Sequence, residues 1–194
     1  IYIVRLIKTY FLIVIVSVVF TLYLFEAFLL IKEKNAISKK IDSFKKSTKK
    51  NYDTRTKAEI YRDLKSKDSN ITLAITSWSK NFLDKSDILP LSGLSNSKSI
   101  HCNENGYYSI YHSDRYGFNN PDNEWNETEI EYLMVGDSFV HGACVNRPND
   151  ISSVLRLLSG KSVINLGISG NGPLTEYATL REYAPKNVKN IIWV

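Results

Sequence analysis

The longest unbroken apolar pattern in the chain runs from Tyr10 to Ile31, YFLIVIVSVVFTLYLFEAFLLI, with Glu26 as its single charge. Twenty-two helical residues at about 1.5 Å each reach across the roughly 30 Å hydrocarbon core of a bilayer. The β-branched content would suit a buried strand, but soluble strands are far shorter. A secretory signal has an apolar core of about 7–15 residues and a small-residue cleavage site, and this stretch has neither. The pattern predicts a membrane-spanning helix, with Glu26 close enough to one end to reach the interface.

Beyond Ile31 the apolar pattern stops. Residues 32–67 are polar and Lys-rich, and only AEIYRDL near their end shows helical spacing, which predicts a solvated, partly helical stalk. NITLAITSW, residues 70–78, suits a strand. ILPLSGLSNS is turn-rich around Pro90 and Gly93. GYYSIYHSDRYGFNNPDNEW is aromatic and closes on an Asn-Asn-Pro turn. These pieces predict an irregular lead-in packed on a core and not a domain of its own.

After Glu127 the pattern becomes regular. IEYLMV is a strand candidate, and DISSVLRLL has apolar residues at 151, 154, 155 and 158 behind Asp150 as N-cap. SVINLG follows as a strand, PLTEYATLREYA as a helix opened by Pro173, and VKNIIWV as a third strand. This βαβαβ order predicts a parallel sheet covered by helices on both faces. The chain thus divides into an anchor (1–34), a Lys-rich stalk (35–68), the lead-in (69–129) and the start of an α/β domain (130–194).

With 194 residues, the chain holds about one domain plus appendages. It begins at Ile1 and ends at Val194 within an apolar run, and it is read as a piece of a longer protein. Charge is uneven: residues 32–67 carry thirteen Lys or Arg against five Asp or Glu, whereas residues 68–194 carry ten against fourteen. The basic excess belongs to the stalk, which suits anionic lipid headgroups. A nucleic-acid-binding domain would place it on the folded face, so nucleic acid is excluded as a partner. Lysines crowd the C-terminal side of the apolar stretch, and the positive-inside rule taken literally puts the following domain in the cytoplasm.

Cys102 and Cys144 match no zinc spacing, and with three scattered histidines they make a poor metal set. No metal or cofactor is expected. The two cysteines are read as buried free thiols, the alternative being a disulfide formed in an oxidising compartment.

In a parallel sheet, ligands bind beyond the carboxyl ends of strands. Two motifs fall at that edge: Gly136-Asp137-Ser138 after the first strand, and NLGISGNGP, residues 165–173, after the second. Gly-Asp-Ser alone is more often a capped turn than a nucleophile, and it is not the Gly-x-Ser-x-Gly elbow. The glycines run Gly-x-x-Gly-x-Gly, the wrong order for a dinucleotide fingerprint, and no acid ends the next strand. They would instead let a backbone N–H approach a reacting oxygen.

The pair GDSFVHG and NLGISGNGP resembles the first two sequence blocks of the SGNH/GDSL hydrolases, over residues 130–194. The preceding SDRYGFNNPD resembles the lead-in of membrane-anchored members encoded with bacterial surface-polysaccharide genes. The resemblance implies a three-layer parallel sheet of the SGNH or flavodoxin-like kind, truncated here. It implies Ser138 as nucleophile, the Ser138 and Gly170 N–H groups as oxyanion donors, and Asp137 as the acid that shapes the turn. The family's third-block Asn and its Asp-x-x-His do not occur between Ser138 and Val194. His101, His112 and His141 are badly placed for a base, and His141 is read as an exposed loop residue.

The function expected from the resemblance is a membrane-anchored serine esterase acting on ester-linked acyl groups, such as O-acetyl groups of a surface glycan. Its partners would be lipid at residues 10–31 and an ester-bearing glycan or small ester. The base would lie beyond Val194, leaving residues 1–194 inactive or nearly so. The domain would then face away from the cytoplasm. The alternative is a non-catalytic module of the same fold that binds glycan or assembly partners.

Overall fold

A computed structural model describes residues 2–76 and 89–194, with the side chains of residues 2–7 and 9 left aside. The Ser77–Trp78 end of the strand expected over 70–78 therefore lies outside the described residues. Residues 1–52 and 53–194 form two compact units.

The first unit is one helix, α1 (Tyr2–Thr48). Its apolar stretch is long and hydrophobic enough to cross a membrane, and the side chains of residues 10–31 have no protein cover. The Thr21 hydroxyl donates to the Ser17 carbonyl at 2.8 Å, so even this polar group is satisfied within the helix. The helix runs on into the Lys-rich stalk, and Lys45 and Lys46 in its last turn oppose the negative end of its dipole. Tyr52 then folds back with its ring 5.5 Å from that of Phe44.

The second unit opens with α2 (Lys57–Lys65), started by a capping box in which Thr56 and Glu59 satisfy each other's backbone N–H groups. Its buried Ile60 packs with Ile71 and Ile100 on a small mixed sheet of β1 (Ile71–Leu73), β2 (Lys98–Ile100) and β3 (Ile110–His112). The lead-in is thus more regular than its sequence suggests. Three-residue strands are too short to show alternation.

Asp114 organises the aromatic part of the lead-in. Fully buried, its carboxylate accepts from the Tyr116 and Phe118 N–H groups, the Asn120 amide and the Trp125 indole N–H at 2.7–2.9 Å. Four donors offset the desolvation of one carboxylate and fold SDRYGFNNPDNEW into a knot. Phe118 from this knot enters the main core beside Ile130, Leu133 and Ile164.

The regular part forms as patterned. Strand β4 (Ile130–Val135) leads through the single turn α3 (Ser138–His141) to α4 (Ile151–Ser159), β5 (Val163–Asn165), α5 (Pro173–Tyr183) and β6 (Val188–Trp193). Asp150 caps α4 through the Ser153 N–H, and Pro173 opens α5. The three strands are parallel, in the order β5-β4-β6. Neighbouring residues of β5 point to opposite faces. Val163 packs with Leu155 of α4, while Ile164 packs with Leu180 and Tyr183 of α5. The chain leaves the central strand toward one side and returns to pair on the other, so its connections part at the carboxyl end of β4. Cys102 and Cys144 are joined in a disulfide with Cα atoms 4.9 Å apart, which corrects the expectation of free thiols. Their spacing of 42 residues conceals a contact made only when the lead-in lies along the loop after α3.

Candidate functional site

Strand β4 ends at Val135 and delivers Ser138 to the start of α3 within three residues. Asp137 caps this turn by accepting the Phe139 N–H at 3.0 Å, so its carboxylate shapes the backbone. A four-residue helix has hardly any internal ladder, and its carbonyls need partners from elsewhere. The Asn165 side-chain amide donates to the Val140 carbonyl, and Asn119 donates to the His141 carbonyl at 2.9 Å. One asparagine comes from the end of β5 and the other from the aromatic lead-in, so both elements hold the serine turn. Among the described residues, no hydrogen bond ties the Ser138 hydroxyl or its backbone N–H.

The glycine turn after β5 packs directly on α3. A Cβ at Gly167 would lie 2.4 Å from the His141 nitrogen and 2.7 Å from the Val140 carbonyl carbon, a space only glycine leaves open. The Ile168 N–H donates to the Gly136 carbonyl at 3.3 Å. Gly170 adopts φ +84°, a left-handed conformation that favours glycine, and its N–H has no acceptor among the described residues. Asn171 is buried beside it with neither side-chain polar atom paired.

His141 joins the two turns. It is 1% exposed, which corrects the expectation of a solvent-exposed loop histidine. Its Nδ1 accepts the Ser169 N–H at 3.0 Å, so the proton of the neutral ring belongs on Nε2, which is buried without a partner. Its ring lies 4.7 Å from that of His101 and edge-on to Tyr111. Burial pushes its pKa down to about 3, with a further push from His101. His101, also buried, is held down at about 4 by burial and by the nearby Lys57 charge. His112 is exposed on β3. No histidine among the described residues hydrogen-bonds the Ser138 hydroxyl, so none is placed as its base.

Ser138 opens into a cleft of about 600 Å³ whose walls include Phe139, Ser169, His101, Lys57 and the Cys102–Cys144 disulfide. Among the described residues, the Ser138 hydroxyl and the Ser138 and Gly170 backbone N–H groups, at the turns after β4 and β5, have no protein partner. A second cleft, of about 320 Å³, lies at the amino-terminal end of the strands against Tyr116, Trp125 and Tyr183, away from these groups.

Sequence reading singled out Ser138, Asp137 and Gly170, which the fold brings to one sheet edge, and gave no role to Lys57, His101, Asn119 or Asn165, which also reach it. A polar Asn closing an apolar strand was the one signal available for Asn165. Nothing local marked the others, which reach the site from distant segments. Compared with known proteins, the chain matches no family model, and no curated protein or solved structure shows significant similarity to it.

Proposed function

We propose that this chain carries the nucleophile half of a membrane-anchored SGNH-type serine esterase. One observation carries the reading: Ser138 stands, unbonded among the described residues, at the carboxyl end of the central parallel strand, with the glycine turn of the next strand locked against it. The strand order β5-β4-β6 matches what the start of a flavodoxin-like sheet would have, and the contribution of α4 and α5 to separate cores agrees with a three-layer arrangement.

In this reaction the Ser138 Oγ attacks an ester carbonyl and loses its proton to a base outside the described residues. The Ser138 and Gly170 N–H groups receive the oxyanion, each contributing about 3–4 kcal/mol at the transition state. Collapse expels the alcohol and leaves an acyl-serine, which water hydrolyses. The substrate is an ester-linked acyl group, such as an O-acetyl group on a surface glycan. A disulfide in the wall of the cleft supports a domain outside the cytoplasm, since such bonds persist in oxidising compartments.

A second reading is a binding module of the same fold. It is favoured by the absence of a base beside Ser138 among the described residues, where the buried histidines are held neutral. Labelling with a fluorophosphonate probe separates the two. The esterase reading expects labelling of wild-type protein that includes the base-bearing segment, and none of its Ser138→Ala variant. A folded wild-type protein that takes no label leaves the binding module.

A further inference from the structure

Lys57 lines the Ser138 cleft as a charge without a counter-charge among the described residues. It is the first residue of α2, in a segment 81 residues before the serine in sequence, yet it lines the same cleft as Ser138 and Ser169. Its side chain is half-buried and makes no hydrogen bond or ion pair among the described residues. By contrast, Arg55, Lys67, Lys98, Arg115 and Lys189 of this unit each form an ion pair.

Among the described residues, the carboxylates of the cleft do not supply the missing partner. Asp150 is spent on α4, where it accepts from the Ser153 N–H and hydroxyl. Glu104 lines the cleft but is exposed and forms no ion pair with Lys57. The Lys57 charge opposes protonation of His101. Burial without compensation also pulls the Lys57 ammonium below its usual range. A partly desolvated cation lining a cleft, with no anion to offset it among the described residues, is stabilised when a ligand brings one.

We infer that the ester accepted by the Ser138 cleft sits on an anionic carrier, whose carboxylate or phosphate is held by the Lys57 ammonium. The inference rests on the esterase reading for the ester itself and adds the charge of the molecule that bears it. In this arrangement Lys57 binds the alcohol portion, and Ser138 faces the acyl carbonyl.

Binding tests this separately from catalysis. The Ser138→Ala protein, in detergent and at low salt, is titrated by NMR with three small probes: phenyl acetate, 4-acetoxybenzoate and 4-acetoxyphenyl phosphate. The first is neutral, the second carries a carboxylate and the third a phosphate. One charge-assisted contact gives the better anionic probe about a tenfold or greater advantage over phenyl acetate. Which anion wins identifies the carrier chemistry. Lys57→Gln abolishes the advantage, and Lys57→Arg, which keeps the charge, retains most of it. Equal affinity for all three probes, no binding, or an advantage that survives Lys57→Gln overturns the inference. Loss of the esterase reading is recognised differently, by wild-type protein that takes no fluorophosphonate label while the binding preference stands.

Discussion

His141 shows how one side chain changes meaning between sequence and structure. Three residues after Ser138, it invites a catalytic reading, but its Nδ1 is committed to the Ser169 N–H and its ring is sealed between His101 and Tyr111. It positions the glycine turn relative to the serine turn. Both histidines are depressed below the 6.5 of an unfolded chain, to about 4 for His101 and about 3 for His141. Between those values and pH 6.5 the unfolded chain binds more protons than the folded one. Stability is therefore fully present above about pH 6.5 and is lost as pH falls below it, at up to about 1.4 kcal/mol per pH unit for each group. Urea unfolding of the second unit between pH 7.5 and 4.5 should show this fall, and His101→Gln should make it shallower. An unchanged slope in that variant would remove His101 from the account.

At the scale of elements, α3 is a helix that cannot hold itself. Its four residues depend on Asn165 and Asn119 for carbonyl partners and on Gly167 for the room to lie against the loop after β5. Gly167→Ala places a methyl group within 2.7 Å of α3 backbone atoms, which cannot rotate away. The expected cost is about 1–3 kcal/mol in urea unfolding, as for other overpacked positions. Because the displaced atoms belong to the serine turn, fluorophosphonate labelling should fall more steeply than stability does. Wild-type stability in this variant would mean that the two turns are not pressed together. The elements themselves were legible: β4, β5 and β6 follow apolar runs, α4 follows its stripe and Asp150 cap, and α5 follows Pro173. The short strands β2 and β3 were not, because three residues carry too little pattern and are held by pairing across the lead-in.

On the scale of the whole molecule, the disulfide ties the lead-in to the loop beyond α3 across 42 residues. Removing loop-closure entropy of that length from the unfolded chain is worth about 4 kcal/mol in the chain-entropy estimate. A Cys102→Ser/Cys144→Ser protein should lose stability of that order, and dithiothreitol should destabilise the wild type but leave the double variant unmoved. The same bond walls the Ser138 cleft, so the variant reads both stability and site integrity. The apolar helix is the other large-scale feature, long enough to cross a membrane and without protein cover.

Sequence alone determined what depends on neighbours along the chain: the apolar helix from its unbroken run, the parallel strands and their helices from periodicity, and the two strand-edge motifs from their glycines, acid and hydroxyl. Tertiary structure decided what depends on residues far apart. It paired Cys102 with Cys144, buried His141 against Ser169, recruited Asn119 and Asn165 to the serine turn, and brought Lys57 and Ser138 to the walls of one cleft. The reason is physical. Periodicity records which face of an element is buried, but the partners of a polar group at a strand end are chosen by where the fold brings other segments, and no local pattern encodes that distance.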